Sequence, residues 1–203
     1  MSAARDGKAA GGAARALRLT IGFVLFQGAW FACVLGAASG QGAQAALGIA
    51  AVVAVVALLV AWSDDRRAEL RLIALALAIG VVWDSLLAHA GVVQYASPGP
   101  LPGWAPAWIL ALWALFAPML REPLRWLHGR PVLAPLFGGV GGALSYAAAE
   151  RLGACRFPDP TLALAVLGAG WALIVPLLVA AAQRLERTAS SQAAAARSCE
   201  VRA

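Results

Sequence analysis

The chain has 203 residues, of which 62% are hydrophobic and 13% charged, and its formal net charge is +6. A soluble domain carries about 25% charged residues, so this composition leaves too few charges to cover a water-exposed surface and excludes an ordinary soluble globular protein. The basic residues are scattered between apolar segments rather than gathered on one face, which argues against a nucleic-acid partner and favours contact with anionic membrane lipid.

The chain opens with a basic, Ala- and Gly-rich tail over residues 1–17, which composition predicts to be disordered. The apolar segment that follows, 19–38, is longer than the roughly 7–15 residues of a signal-peptide core. A second apolar segment begins almost at once, at residue 43. We therefore predict an uncleaved first membrane span, although Ala43-Gln44-Ala45 resembles a cleavage site.

Five further apolar segments are separated by polar, proline-rich or charged breaks. About 20 apolar residues cross the ~30 Å hydrocarbon core of a bilayer. None of these segments alternates with a period of two, so the spans should be helices rather than barrel strands. The predicted fold class is all-α, a polytopic transmembrane helical bundle over residues 18–186, followed by a disordered tail over 187–203. Its six spans are 19–38, 43–62, 70–92, 104–120, 131–150 and 161–182.

The distribution of basic residues predicts the orientation. Fourteen of the 16 lie in the two tails and in the second and fourth connections, whereas Arg151 and Arg156 alone lie in the other connections. Basic residues concentrate on the cytoplasmic side of inner-membrane proteins. We therefore predict a multi-pass protein of the bacterial inner membrane with both termini in the cytoplasm.

Asp84 is the most informative single residue. It lies near the middle of the third predicted span, where insertion of a carboxylate costs roughly 2.5–3.5 kcal/mol, so it should face the bundle interior and accept hydrogen bonds. By depth, we expect Gln27 of the first span to donate, together with Ser85 or Trp30. Two interpretations stay open: Asp84 specifies helix packing, or it is a functional site.

Other polar side chains lie between Asp84 and the outer interface. His89 is about 140° from Asp84 around a helix, so the two should not share a face. Ser145, Tyr146 and Glu150 of the fifth span, together with Gln94 and Tyr95 at the end of the third, could line an outward-facing vestibule with Asp84 at its floor. Four tryptophans at mid-depth either fill space between helices or form the wall of a shared cavity: Trp30, Trp83, Trp113 and Trp171. The candidate site residues are Gln27, Trp30, Asp84, His89, Ser145 and Tyr146.

Motifs for metal, nucleotide or nucleophilic chemistry are missing from the sequence. It contains no H-E-x-x-H, C-x-x-C, G-x-S-x-G or G-x-x-x-x-G-K-[ST]. We therefore predict no metal and no cofactor, and catalytic residues cannot be assigned. Pairing between Cys33 and Cys155 stays open, although Cys33 should be buried at membrane depth. The glycine cluster 138–142 suits close helix packing, or a local break along a substrate path.

Several motifs together resemble a known family. They include Phe26-Gln27-Gly28-Ala29-Trp30, Asp84-Ser85-Leu86-Leu87, Leu101-Pro102-Gly103-Trp104, Leu112-Trp113-Ala114-Leu115-Phe116 and Gly141-Gly142-Ala143-Leu144-Ser145-Tyr146. From about residue 20 to 183, the chain resembles the bacterial inner-membrane family of domain of unknown function 2878. The resemblance implies a multi-span membrane protein without an assigned activity. It draws attention to Gln27, Trp30, Asp84, Pro102, Trp108, Trp113, Ser145 and Tyr146.

Three functions remain open at this point. A small transporter or transport accessory predicts a polar cavity that touches Asp84 from one side. An integral-membrane enzyme acting on lipid, which we favour less, predicts that Asp84 and His89 converge. A structural or assembly protein predicts that Asp84 is sealed. Membrane lipid is the expected partner, while protein partners and a homo-oligomer stay open.

Overall fold

A computed structural model describes residues 2–98 and 101–200, with side chains described over 14–98 and 101–188. This part of the chain is helical except for its connections and a short two-stranded ribbon. A 3₁₀ turn, Ala117–Leu120, continues α4, and a second, Arg125–Leu127, follows it. The helices are α1 Ser2–Ala38, α2 Gly42–Trp62, α3 Arg66–His89, α4 Ala107–Phe116, α5 Leu133–Arg151 and α6 Pro160–Glu200.

Four of the helices are long and apolar enough to cross a membrane. They are the Ala14–Ala38 part of α1, all of α2 and α3, and the Pro160–Thr188 part of α6. The fourth predicted span, 104–120, contains the shorter apolar helix Ala107–Leu120. The fifth, 131–150, corresponds to α5, which is rich in glycine and ends one residue beyond the predicted span, at Arg151. The all-helical architecture is therefore as predicted, and each predicted span has a helix.

Local chemistry explains where the helices begin and end. α3 begins four residues before the predicted span because the side chain of Asp65 caps it, accepting a hydrogen bond from Ala68 N at 3.0 Å. It ends at His89, two residues before Gly91, whose φ of 68° turns the chain. α1 begins at Ser2 and α6 continues to Glu200, so helix extends over most of both tails in which composition predicts disorder. Met1 and residues 201–203 lie outside the described residues.

The helices pack as two hairpins around a central pair. α1 packs along α2, and α5 packs along α6. α3 and α4 contact each other and join the hairpins, since α4 contacts α1 and α2 while α3 contacts α6. Small residues allow the closest approaches: a Cβ added to Gly48 of α2 would lie 2.6 Å from Ala32 O of α1.

The two ends of the bundle differ in character. At one end, which we call the arginine-rich end, Arg15 pairs with Glu122 at 3.4 Å and Arg125 pairs with Glu186 at 3.5 Å. These ion pairs bring the start of the apolar part of α1 and the end of the apolar part of α6 to the same end of the bundle.

The opposite end is closed by a small antiparallel ribbon. Its strands are β1, Gln94–Tyr95, and β2, Cys155–Arg156, in the register Gln94↔Arg156 and Tyr95↔Cys155. Nearby, Ser97 Oγ donates to Ala37 O at 2.9 Å. Hydropathy patterning does not predict this ribbon, because strands of two residues are too short to show an alternating pattern.

Candidate functional site

Asp84 lies on α3 and is completely buried, with 0% of its surface exposed. Trp113 Nε1 donates to its Oδ2 at 2.6 Å, and the Tyr95 hydroxyl donates to its Oδ1 at 2.6 Å. The hydroxyl of Tyr146 also donates to Oδ1. These donors come from α4, β1 and α5. Hydrogen bonds to an ionised acceptor are the strong ones, so three of them offset the cost of burying this carboxylate.

Glycine and the ribbon hold two of these donors in place. Gly80 lies one helical turn before Asp84, and a Cβ added there would lie 2.5 Å from Trp113 Cδ1. Only glycine at this position lets the indole lie flat enough on α3 to reach Asp84. The β1–β2 pairing holds Tyr95 opposite Cys155, and Ala96 N donates to Ala154 O at 2.9 Å just beyond it.

An aromatic cluster extends from these donors. The rings of Trp113 and Trp171 stack with centroids 4.7 Å apart and an interplanar angle of 10°. Trp171 also meets Phe116 and Tyr146 edge to face, at 5.6 Å and 6.3 Å. Gly142 provides the space for Trp171, because a Cβ added there would collide with the indole ring. These contacts connect Asp84 on α3 to α6 through side chains of α4 and α5.

A cavity of about 420 Å³ lies beside this cluster, and we call it the aromatic groove. Trp113 and Tyr146, both donors to Asp84, form part of its wall, so Asp84 lies directly behind that wall without lining it. The other contributions come from α1, α4, α5 and α6; they include Phe26, Gln27, Trp30, Phe31, Phe116, Phe137, Gly141, Leu144, Ser145 and Trp171.

The structure brings together most of the candidate residues, but not in the predicted way. Gln27, Trp30, Ser145 and Tyr146 all line the aromatic groove. His89 does not: it is exposed, its Nδ1 lies 2.9 Å from Ser85 O, and its ring packs against Gly103. The aromatic wall that the mid-depth tryptophans suggested therefore includes Trp30, Trp113 and Trp171, while Trp83 packs against Gly170.

The predicted donors to Asp84 were wrong, apart from the general expectation that it would be buried and satisfied. Ser85 Oγ instead accepts a hydrogen bond from Ala105 N at 3.0 Å. Gln27 and Trp30 line the groove, whereas Asp84 does not. Depth along a span does not reveal which helix faces meet, so Tyr95 and Tyr146 were placed near Asp84 without being identified as its donors, and Trp113 was not placed there. The available signal was the presence of aromatic donors at mid-depth and in the following loop.

A buried ion pair that was not predicted from the sequence lies near the start of α3. Glu69 and Arg121 form an ion pair at 2.9 Å, with side chains only 6% and 11% exposed. Ser63 Oγ donates to Glu69 Oε1 at 3.3 Å, and Arg121 Nη1 also donates to Asp65 O at 3.2 Å. These residues fall at the ends of predicted spans, where a charge is ordinarily solvated. Here, the 3₁₀ turn after α4 folds Arg121 back onto the start of α3.

The two cysteines at the ribbon end of the bundle are buried and free. Cys33 Sγ donates to Trp108 O at 3.4 Å, whereas Cys155 Sγ points to Tyr146 O at 3.9 Å. Burial, followed by the negative charges of Glu150 and Asp84, raises the pKa of the Cys155 thiol to about 12. Among the side chains described over 14–98 and 101–188, no group of three or more His, Cys, Asp or Glu residues is arranged to hold a metal ion.

We expect Cys155 to resist alkylation. The thiolate is the reactive form, so a pKa near 12 leaves very little of it at pH 8, and the rate should rise as the pH is increased toward 12. Peptide-resolved mass spectrometry after maleimide treatment would measure the labelling. A cysteine introduced at the exposed position Gln41 serves as the control. Equal labelling at both positions in the folded protein would contradict the burial of Cys155.

Comparison with known proteins gives one result. A family model described as a protein of unknown function (DUF2878) matches residues 19–177. No curated protein and no solved structure matches the chain. The matched region contains Asp84, its three donors and the residues of the aromatic groove.

Proposed function

The chain belongs to the DUF2878 family of proteins of unknown function, and we propose that it binds a small apolar or amphipathic molecule within the membrane, as a transporter or a transport accessory. The observation that carries this proposal is the aromatic groove, whose wall is fixed by the buried Asp84. The remaining features that support it are the topology, the chemistry of the groove and the position of Asp84.

The proposed topology is six spans in a bacterial inner membrane with both termini in the cytoplasm. Four helices are long and apolar enough to span, and α4 and α5 lie within the same bundle. An even number of crossings returns the chain to its starting side. The ion pairs Arg15–Glu122 and Arg125–Glu186 hold the start of the apolar part of α1 and the end of the apolar part of α6 at the arginine-rich end, which supports this count. The positive-inside rule supports a cytoplasmic position for that end.

The groove has the size and lining of a small-molecule site. Such sites occupy about 300–1,000 Å³ and combine apolar walls with a few polar groups. Here the walls are mostly aromatic, and Gln27, Ser145 and the Tyr146 hydroxyl supply polarity. Phe31 and Leu144 also line the groove and are 45% and 63% exposed, so it reaches the surface that lipid would cover. A lipophilic molecule could therefore enter from the bilayer.

In this proposal Asp84 positions the wall rather than contacting the bound molecule. Its two oxygens are occupied by donors from three elements, and none of its surface is exposed. This arrangement does not favour the alternative of a lipid-modifying enzyme, because general acid–base catalysis needs a group within reach of the substrate. His89 lies outside the groove. A purely structural or assembly protein remains the alternative, and it requires the groove to have no specific ligand.

Filling the groove should weaken binding without unfolding the protein. Gly141 lines the groove, and an added Cβ there would meet nothing within 4 Å, so Gly141→Leu places a side chain in open space. An added Cβ at Gly28 of α1 would also meet nothing within 4 Å. Gly28 is exposed and does not line the groove, so Gly28→Leu is the matched control. In lipid nanodiscs, energy transfer from tryptophan to N-phenylnaphthylamine would report binding of this apolar aromatic probe. We expect Gly141→Leu to weaken it about tenfold or more.

The same pair of variants tests the biological role. A deletion strain profiled for lipids and small molecules should show a changed level of the transported molecule. Wild type and Gly28→Leu should restore that level, and Gly141→Leu should not. If Gly141→Leu binds the probe and complements the strain as well as the control does, the groove is not the working site, and the structural alternative is favoured.

A further inference from the structure

A second cavity, of about 490 Å³, lies at the arginine-rich end and shares no lining residue with the aromatic groove. It is enclosed by the first part of the apolar half of α1, the end of α2, the start of α3, the connection after α4, and α6. We call it the arginine-end cavity. In the proposed topology, it lies at the level of the cytoplasmic headgroups.

The charged side chains that line this cavity are balanced in number, with four arginines and four acidic residues. Six of the eight form ion pairs with one another: Arg121 with Glu69, Arg15 with Glu122, and Arg125 with Glu186. A cavity lined in this way has no net charge, so it does not select an anion over a zwitterion. A ligand that carries both signs of charge complements it best.

The two remaining charges are available for such a ligand. Among the described side chains, Arg18 and Asp64 have no hydrogen bond or ion pair, although both line the cavity. In addition, Glu69 is 94% buried, with 6% of its side chain exposed, and its Oε2 has no hydrogen-bond partner in the described part of the chain. A buried carboxylate oxygen without a hydrogen-bond donor is costly, so a ligand that donates to Glu69 would be stabilised here.

Apart from Ser63, the uncharged residues of the lining are apolar or glycine. Leu19, Leu59 and Met119 contribute aliphatic surface, and Trp62 closes α2 beside them. Tryptophan is enriched where hydrocarbon meets headgroups. The cavity therefore has both charged and apolar lining, which matches a molecule that has a polar head and an acyl chain.

We propose that the arginine-end cavity binds the headgroup of a zwitterionic phospholipid that carries a primary ammonium, such as phosphatidylethanolamine. The phosphate pairs with Arg18, whose guanidinium suits phosphate oxygens. The ammonium group, which has three N–H donors, donates hydrogen bonds to the carboxylates of Asp64 and Glu69. A phosphatidylglycerol headgroup has no ammonium for the carboxylates, and a choline headgroup has no N–H donor. This site is independent of the aromatic groove.

The test is a lipid titration of the full-length protein in detergent, followed by native mass spectrometry. Dioleoyl phosphatidylethanolamine, phosphatidylglycerol and phosphatidylcholine are added separately. We expect phosphatidylethanolamine to bind tightest, and Arg18→Gln or Asp64→Asn to weaken it about tenfold, as the loss of one charged hydrogen bond predicts. Arg71→Gln removes an exposed charge at the same end of α3 without touching the cavity and is the control.

Two further measurements test whether the ligand comes from the membrane and whether it binds in the arginine-end cavity or in the aromatic groove. Water-soluble glycerophosphoethanolamine should compete only weakly, because it lacks the acyl chains; competition at the affinity of the lipid would overturn a membrane source. Gly141→Leu should leave phosphatidylethanolamine binding unchanged, so failure of the groove and failure of this site are separable. Equal affinity for the three lipids, or Arg18→Gln and Asp64→Asn variants that bind like Arg71→Gln, would overturn the proposal.

Discussion

Replacing Asp84 with Asn should lower the free energy of unfolding by about 3 kcal/mol, the cost of disrupting a buried, charge-assisted network. The amide supplies one acceptor oxygen and one NH₂ group. If its oxygen faces the two tyrosines, the NH₂ opposes the indole N–H of Trp113, which can only donate. If its oxygen faces Trp113, Tyr95 and Tyr146 lose the acceptor for their protons. Thermal unfolding in detergent, with unfolding free energies from steric trapping, would measure the loss.

Variants of the donors provide the comparison for Asp84→Asn. Tyr146→Phe keeps the ring against Trp171 and removes only the hydroxyl, so it should cost about 1.5–3 kcal/mol. Tyr146→Phe combined with Asp84→Asn should cost less than the sum, because both act on one network. An Asp84→Asn protein as stable as wild type that nevertheless fails to complement a deletion strain would instead make Asp84 a functional group in its own right.

The second large effect concerns Gly142 on α5. A methyl group added there would collide with the ring of Trp171, so Gly142→Ala must displace that indole from its stack on Trp113. Overpacking of this kind costs about 1–3 kcal/mol. We expect lower thermal stability and a changed near-ultraviolet circular dichroism spectrum, because the stacked tryptophan pair would separate.

The adjacent glycine gives a closely matched control. Gly141 is on the same helix, yet an added Cβ there meets nothing within 4 Å. Gly141→Ala should therefore be neutral or slightly stabilising, since alanine favours helix over glycine by up to about 1 kcal/mol. Equal effects of the two substitutions would show that the glycines act through helix propensity or flexibility and not by seating Trp171.

This contrast also bears on the two interpretations of the glycine cluster. α5 is a continuous helix from Leu133 to Arg151, without a break at residues 138–142. Gly138 and Gly142 both face α6, where an added Cβ would meet Trp171 O or its ring. Close packing is therefore the use that the geometry supports. Gly138, Gly141 and Gly142 all line the groove, and of these three only Gly141 has open space where a Cβ would lie.

Hydropathy and composition alone were enough to predict the all-helical architecture, the approximate positions of the six helices and the burial of Asp84. Those properties depend on the free energy of transfer from water to hydrocarbon, which is a sum over the residues of a local stretch of chain. The family resemblance was also readable, because it depends on residue order, and the family match over residues 19–177 confirms it.

Only the tertiary structure decided which groups meet. Tyr95, Trp113 and Tyr146 reach Asp84 from three elements, and Arg121 reaches Glu69 from 52 residues away in the chain. Their convergence depends on the rotation of each helix and on glycines such as Gly80 that let one side chain lie against another helix. A linear sequence gives depth along a span but not azimuth around the bundle, so the donors to Asp84 and the outline of the groove could not be derived from it.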